Sequence, residues 1–226
     1  RAHLCEDRVE MENELDKLNL PTNFKLVITG GGRVAGGAVE VLRKTNIIKV
    51  SPDDFLNKTF DYPVYTQLEV ENYVSREDNK VFDINSFFKD PSGHSSNFMP
   101  YAKIADLYVA CHYWDNRSPY IFSREDARDP NWNISVVADV SCDIDGPVAS
   151  TLRPSTIADP FYGYNTDNEQ EVDFMSKDSI GVMAVDNLPC ELPKDASTEF
   201  GKMFIEHVLE PLIGNDPENV IFRASE

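Results

Sequence analysis

The amino-acid sequence predicts an α/β fold in which helices flank a mainly parallel sheet. A glycine-rich turn joins an apolar run, 26–29, to an amphipathic segment that starts near Arg33. Farther along the chain, three continuous apolar runs are each followed at once by polar residues, and these runs are 105–111, 134–140 and 181–185. Continuous apolar runs of this length are typical of strands that are buried on both faces of a parallel sheet.

The glycine-rich turn is the first functional signal. Gly30, Gly32 and Ala35 have the spacing of the dinucleotide-binding turn that follows the first strand of a nucleotide-binding unit. The first glycine allows the tight turn, and the second lets the backbone approach a pyrophosphate, whose charge the N–H groups of the next helical turn can bind. The pattern predicts a Rossmann-type, doubly wound domain that binds NAD or NADP; a glycine-rich hairpin or helix cap is the alternative.

The segments after the turn complete the predicted unit. Apolar residues recur at helical spacing and indicate a helix that packs on a sheet: Val34, Ala38, Val41 and Leu42. The run 47–50 is the natural second strand. Ser51 stands at its end, where NAD-binding domains carry an acid for the adenosine ribose. Asp53 and Asp54 come just afterwards, but they also fit a helix cap, so the choice between NAD and NADP stays open.

The chain is predicted to have three parts. Residues 1–20 form an amphipathic helix that links to an amino-terminal domain outside the chain, and residues 21–194 form the nucleotide-binding domain. Residues 195–226 carry a long helix that returns toward the missing domain. Within the middle part, residues 60–98 are predicted to be an irregular insertion. A helix face that packs on the missing domain would be exposed here, and pairs of chains can associate through it.

The composition limits the expected partners. The 226 residues include 39 acidic and 21 basic side chains, which gives a formal net charge of −18. This charge repels phosphate backbones and anionic headgroups, so neither nucleic acid nor a membrane is expected as a partner. The four cysteines lie far apart, and the sequence has no signal peptide and no run of bilayer length. We therefore expect a soluble, cytoplasmic protein with reduced thiols.

Polar residues at the predicted strand ends are the candidate contacts of a ligand. His112 and Tyr113 follow the first apolar run, Asp139 and Val140 end the second, and Asp186 follows the third. Ligands of open α/β sheets bind outside the carboxyl ends of the strands, so these residues are expected beside the glycine turn. Asp139 is predicted to bind a ribose or a backbone amide. Asp186 is predicted to accept a hydrogen bond from a substrate ammonium or from the cofactor. For both Asp139 and Asp186, the alternative is a structural role as the acceptor of a turn.

Several kinds of chemistry lack the residues that they need. None of the four histidines shares a metal-ligand spacing with another, so no metal is expected. The sequence also lacks a nucleophile elbow and a phosphate-binding P-loop. Hydride transfer requires only a held nicotinamide and a proton carrier, so this sparse inventory fits a dehydrogenase.

Five segments resemble the carboxyl-terminal half of the lysine–ketoglutarate reductases, the lysine-forming saccharopine dehydrogenases: 28–38, 112–119, 136–146, 155–161 and 185–193. More distantly, the chain is similar to alanine dehydrogenases and transhydrogenase nucleotide domains. The resemblance implies a two-domain enzyme that uses NAD(P)H to reduce the imine of lysine and 2-oxoglutarate to saccharopine, or that runs the reverse reaction. It also implies that the lysine and histidine that act as acid and base belong to the missing amino-terminal half.

The resemblance implies residue roles as well. Gly30, Gly32 and Arg33 would hold the pyrophosphate. Ser51, which replaces the acid of NAD-using relatives, would face the adenosine ribose. Tyr113 would lie near the nicotinamide, and Asp186 would face the amino-acid substrate. The full set of expected cofactor contacts is Gly30, Gly31, Gly32, Arg33, Val34, Ser51, His112, Tyr113, Asp139, Val140, Asp186 and Leu188. Two other functions stay open: an amino-acid dehydrogenase of the alanine dehydrogenase type, and a non-catalytic, dinucleotide-binding regulatory module.

Overall fold

An eight-stranded sheet organises residues 16–186 in the computed structural model, which describes residues 1–225. Residues 1–15 and the chain from 187 onward form a second unit. The strands of the chain are β1 (Lys25–Thr29), β2 (Ile48–Lys49), β3 (Val64–Leu68), β4 (Val74–Arg76), β5 (His94–Ser96), β6 (Leu107–Ala110), β7 (Val136–Asp139), β8 (Phe161–Asn165), β9 (Gln170–Val172) and β10 (Ser179–Met183).

The strand order confirms the predicted fold class. The main sheet runs β2-β3-β1-β6-β7-β10-β8-β9, while β4 and β5 form a separate two-stranded sheet. Neighbours from β2 to β10 are parallel, and β8 and β9 are antiparallel. The arrangement is Rossmann-like, and the three apolar runs form β6, β7 and β10. The chain builds one side of β1 with β2 and β3 before it crosses to β6. The edge between β1 and β6 is therefore the switch point, where such sheets bind ligands.

The strand beside β1 differs from the predicted one. β2 lies at the edge of the sheet and pairs only with β3, whereas β3 pairs with β1 from Lys25 to Thr29. β3 falls inside the range 60–98, so that range is not wholly an irregular insertion. Polar residues hide this strand in the sequence. Thr66, for example, is fully buried, and this is possible because its hydroxyl donates a hydrogen bond to the carbonyl of Val50 at 3.1 Å. The extra segment is residues 70–98, which we call the insertion.

The helices are short for a domain of this kind. They are α1 (Arg8–Leu15), α2 (Arg33–Leu42), α3 (Pro52–Asn57), α4 (Val70–Tyr73), α5 (Ile84–Lys89), α6 (Met99–Ala102), α7 (Pro193–Phe204), α8 (Glu210–Ile213) and α9 (Val220–Ala224). None of those within residues 1–225 has the length and apolar content that a bilayer span requires.

Apolar layers cover both faces of the sheet. On one face, Leu26 and Ile28 of β1 pack with Ala35 and Val39 of α2. On the other face, the larger layer includes Val27 together with α3, α6 and the aromatic residues between β6 and β7. Alternate residues of a strand point to opposite faces, so β1 is buried between both layers. The buried stripe of α2 is rotated from the predicted one, and Val34 is 52% exposed instead of packed.

A buried polar group joins the carboxyl ends of β1 and β6. The Thr29 hydroxyl lies 2.8 Å from the Tyr108 hydroxyl and 2.9 Å from Nδ1 of His112. Nε2 of His112 is buried and has no hydrogen-bond partner among the described residues. Burial lowers the pKa of His112 to about 4, because the charged ring would lose its hydration. His112 is therefore neutral at pH 7.

In the second unit, the first helix is shorter than predicted. The range 1–20 contains a 3-10 turn at Ala2–Leu4 and then α1, and no residue of either is buried. Polar contacts join this segment to the later part of the unit. The Lys194 ammonium lies 3.1 Å from the Glu6 carboxylate, and the backbone N–H of Arg8 donates to Asp195 at 2.8 Å.

The predicted carboxyl-terminal helix begins earlier than expected. α7 starts at Pro193, and a π-helical turn, Ile205–Leu209, connects it to α8. Asp195 lies in the first turn of α7, and its carboxylate accepts the Arg8 N–H. Large apolar side chains of this segment are exposed, among them Phe200 at 72% and Ile213 at 78%. The long flanking helices of the prediction are thus a chain of shorter segments.

The depressed pKa of His112 predicts a pH dependence of stability. The unfolded chain takes up a proton near pH 6.5, whereas the folded protein takes it up only near pH 4. Because the unfolded state binds the proton first, the free energy of unfolding should fall as the pH drops through this window. The expected contribution of His112 is a loss of about 2 kcal/mol between pH 7.5 and 5.

Denaturant titrations of the wild-type chain and of His112→Gln measure this difference. The His112→Gln variant should lose the extra fall in stability, while His207→Gln, which removes an exposed histidine, should keep it. An NMR titration that gave a pKa near 6.5 for the His112 ring would contradict the attribution of this loss of stability to His112.

Candidate functional site

The glycine turn is fixed between its two neighbouring strands. Gly30 has a φ of +110°, and a Cβ at this position would lie 2.6 Å from the carbonyl oxygen of Cys111. Its N–H donates to the Leu68 carbonyl at 2.9 Å, and its carbonyl accepts from the Gln67 side chain at 3.0 Å. The conformation and the close approach of β6 both require glycine here.

The next two glycines face different surroundings. A Cβ at Gly31 would overlap the carboxylate of Glu69, so the neighbouring acid occupies that space. Gly32 is the N-cap of α2 and has an extended backbone, and a Cβ there would meet no atom within 4 Å. No part of the described protein therefore requires glycine at position 32. A ligand that approaches the backbone closely would supply such a requirement.

The first turn of α2 is adapted to an anion. Arg33 occupies the first helical position, and the first turn contains no acidic residue. A cation at this end opposes the helix dipole, while a bound anion is stabilised by the free N–H groups and by the guanidinium. In a chain with a net charge of −18, a helix start without acids is notable and favours a phosphate group as the ligand.

A cavity of about 470 Å³ lies against this turn at the switch point. Its wall contains Gly30, Gly31, Gly32, Arg33, Val34, His112 and Tyr113 from the predicted set. Side chains that the sequence did not identify complete it: Glu69, Val70, Tyr73, Ile84 and Phe88, with Cys111 at the end of β6. Burial raises the pKa of Cys111 to about 11, so this thiol is protonated.

Glu69 has the position that the sequence assigned to Ser51. It follows the last residue of β3, the strand beside β1, and its exposed carboxylate lies on Gly31. Acids that bind the adenosine ribose stand at the end of this neighbouring strand. Ser51 instead caps α3, where its hydroxyl accepts the Asp54 N–H at 3.1 Å. It is absent from the cavity wall, and the helix-cap alternative describes it correctly.

His112 and Tyr113 lie on the same wall with different exposure. His112 is only 6% exposed, and its ring centroid lies 6.2 Å from that of Tyr73. Tyr113 is 87% exposed. Tyr113 shares this wall with Glu69, and its expected place beside the nicotinamide stays a prediction.

Asp139 is a structural acceptor at the end of β7. It is fully buried, and one carboxyl oxygen accepts from the Ser141 hydroxyl at 2.5 Å and the Cys142 N–H at 3.0 Å. The other oxygen accepts from the Thr151 hydroxyl at 2.6 Å. These donors hold the loop after β7, in which Cys142 has a φ of +53°. Of the roles that the sequence left open for Asp139, the structure shows a carboxylate that accepts a backbone amide and acts as the acceptor of the turn after β7.

The remaining predicted contacts lie outside the cavity wall. Val140 is half-buried in the apolar layer beneath α2, and Leu188 belongs to the second unit. Asp186 is exposed after β10. Burial, with added repulsion from Asp139, Asp186 and Asp143, raises the pKa of Cys142. Asp186 therefore belongs to an acidic group at the ends of β7 and β10.

No metal site accompanies these residues. Within residues 1–225, no group of three or more His, Cys, Asp or Glu side chains is arranged to hold a metal ion. All four cysteines are free.

Comparison with known proteins identifies relatives of this chain, although no family model matches it. It is 30% identical over 214 residues to the mitochondrial alpha-aminoadipic semialdehyde synthase of Rattus norvegicus, a match that covers 84% of this chain and 23% of the relative. The synthase of Arabidopsis thaliana is 28% identical over 198 residues, or 77% of this chain and 18% of the relative. The NAD(+), L-lysine-forming saccharopine dehydrogenase of Candida albicans is 24% identical over 221 residues, or 97% and 47%.

The chain spans about a fifth of the length of these synthases and about half of the Candida dehydrogenase. The rat relative is named as mitochondrial, so the cytoplasmic location stays a prediction. The resemblance drawn from the five segments is confirmed: over most of its length, this chain is homologous to the alpha-aminoadipic semialdehyde synthases and to a saccharopine dehydrogenase.

Proposed function

We propose that this chain is the NAD-binding part of a dehydrogenase of the saccharopine dehydrogenase type. One observation carries the proposal: the glycine turn, the start of α2 with Arg33, and the Glu69 carboxylate border one cavity at the switch point. These groups supply the two polar contacts that the adenosine half of a dinucleotide needs. The pyrophosphate binds at the start of α2, and the ribose hydroxyls bind at Glu69.

The position of Glu69 favours NAD over NADP. A carboxylate accepts hydrogen bonds from the ribose hydroxyls of NAD, whereas it repels the 2′-phosphate of NADP. We therefore propose NAD where Ser51 left the choice open, because Glu69 directly follows the strand beside β1. The name of the Candida relative specifies NAD(+), which supports the same preference.

The proposed reaction is hydride transfer between the nicotinamide and the imine of lysine and 2-oxoglutarate, with saccharopine as the reduced product. The homology to the synthases and to the Candida dehydrogenase supports this reaction class. NAD supplies the hydride chemistry when bound, and the chain orients it. We propose that Asp186 faces the amino-acid substrate, and that the acid and base come from a part of the enzyme outside this chain.

Replacement of Glu69 tests the cofactor preference. Calorimetric titration of the wild-type chain should show tighter binding of NADH than of NADPH. In Glu69→Ala, the loss of charge-assisted hydrogen bonds should weaken NADH binding roughly tenfold or more and remove most of the preference. The matched control is Ser51→Ala, which should cost about 1 kcal/mol of stability through the lost cap and leave the NADH to NADPH ratio unchanged. Failure of the wild-type chain to bind either cofactor would overturn the proposal.

Replacement of Gly32 tests the approach of the pyrophosphate. Because no protein atom lies near a Cβ at this position, Gly32→Ala should change the free energy of unfolding by no more than about 1 kcal/mol. The added methyl group should nevertheless weaken NADH binding roughly tenfold. Gly37→Ala, in the exposed middle of the same helix, should stabilise the chain by about 1 kcal/mol and leave NADH binding unchanged. If Gly32→Ala and Gly37→Ala bind NADH equally tightly, the phosphates of the cofactor do not lie against the backbone of residue 32.

The reaction itself is tested with the full-length gene product. With lysine and 2-oxoglutarate as substrates, the enzyme should oxidise NADH, which is measured as a fall in NADH absorbance. With pyruvate and ammonia, the absorbance should not change. The opposite selectivity would favour the alanine dehydrogenase alternative. Binding without turnover of either pair would favour the regulatory module.

A further inference from the structure

We infer that the insertion builds the adenine subsite of the cavity, with Ile84 and Phe88 of α5 as the side chains that hold the base. The inference rests on the proposed function, because it assigns the part of the dinucleotide that follows the ribose. It also gives a role to a segment that is not part of the main sheet.

Large apolar side chains converge on this cavity with unusual exposure. Ile84 is 39% exposed, Phe88 is 60% exposed and Tyr113 is 87% exposed, yet all three line the cavity that the glycine turn borders. Single exposed apolar residues are common, but a cluster at the rim of a polar site usually marks a ligand surface. Phe88 and Tyr113 also line a smaller adjoining cavity of about 290 Å³. They therefore stand at the boundary between the two spaces.

The inner face of α5 fixes this surface in place. Phe87 is 7% exposed, and its ring centroid lies 5.6 Å from that of Phe82 and 5.1 Å from that of His94. Asp83 caps the helix by accepting the Ser86 N–H at 2.7 Å. Ile84 and Phe88 are four residues apart and share the other face of α5. The insertion thus anchors α5 through Phe87 and presents Ile84 and Phe88 to the cavity.

The order of groups along the ligand selects adenine as the occupant. With the pyrophosphate at the start of α2 and the ribose at Glu69, the next group beyond the ribose is the base. The same wall includes Val70 and Tyr73, which follow Glu69 in the chain, and the two α5 residues. Arg33 and Glu69 are the charged side chains of this wall, and both already have a place in the proposal. The rest is apolar and aromatic, which suits a flat, neutral purine that stacks on rings.

Replacement of Phe88 tests the subsite with ligands that contain or lack adenosine. In Phe88→Ala, the affinities for NADH and AMP should both fall about fivefold to hundredfold, the range for loss of a base–aromatic stack. The affinity for reduced nicotinamide mononucleotide should stay unchanged, because this ligand has no adenine. Val81→Ala removes an apolar side chain of the insertion that is 91% exposed and does not line the cavity, and it should bind all three ligands as the wild type does.

The outcomes separate this inference from the proposed function. If the wild-type chain binds NADH, and Phe88→Ala binds NADH and AMP as tightly as the wild type does, the adenine subsite alone is overturned. An equal loss of NADH and of the mononucleotide in Phe88→Ala, with an unchanged thermal midpoint, would move Phe88 to the nicotinamide side and would also overturn it. A wild-type chain that binds neither NADH nor AMP would overturn the proposed function.

Discussion

The position of Gly30 is the constraint on which the rest of the site depends. This residue lies where β3, β1 and β6 end side by side. Its N–H donates to the Leu68 carbonyl on one side, and on the other side a Cβ would lie 2.6 Å from the Cys111 carbonyl oxygen. Its left-handed backbone turns the chain away from the sheet and sets the start of α2. A side chain at this point would separate the two strand ends, and with them Glu69 and His112.

The buried network below the turn adds rigidity without adding charge. Thr29, Tyr108 and His112 link β1 to β6 through neutral groups. Since Tyr108 is fully buried, the chain of hydrogen bonds is shielded from water, and each bond gains strength from the low local dielectric. The charged groups of the site, Arg33 and Glu69, stand instead at the solvent side, where an anionic ligand and its hydroxyl groups can reach them.

The predictable features were those encoded in consecutive residues. The glycine turn, the apolar runs of β6 and β7, and the wall residues His112 and Tyr113 followed from local pattern. β3 did not, because Thr66 and Gln67 satisfy their polar groups through bonds to Val50 and Gly30, which only the folded chain brings near.

Glu69 was missed for a related reason. The ribose acid was expected after the second strand in chain order, whereas the strand beside β1 is the third. The local signal, an acid directly after a run that ends in an apolar residue, was present in the sequence. The sequence did not show that this run forms the strand beside β1. Asp139 shows the opposite limit, because its carboxylate holds a loop in the structure. In the sequence, a carboxylate at the end of a strand looks the same whether it binds a ligand or holds a loop.

One consequence of the insertion concerns how cofactor preference is encoded along the chain. Glu69, Tyr73, Ile84 and Phe88 all lie between β3 and β5, while the acidic group begins at Asp139 and Asp186 comes about a hundred residues after Phe88. The groups proposed to recognise the ribose and the base are therefore contiguous and separate from those that face the substrate. In this proposal, the residues that would select the nucleotide and those that would face the substrate occupy separate stretches of the chain, so a substitution in one stretch leaves the side chains of the other unchanged.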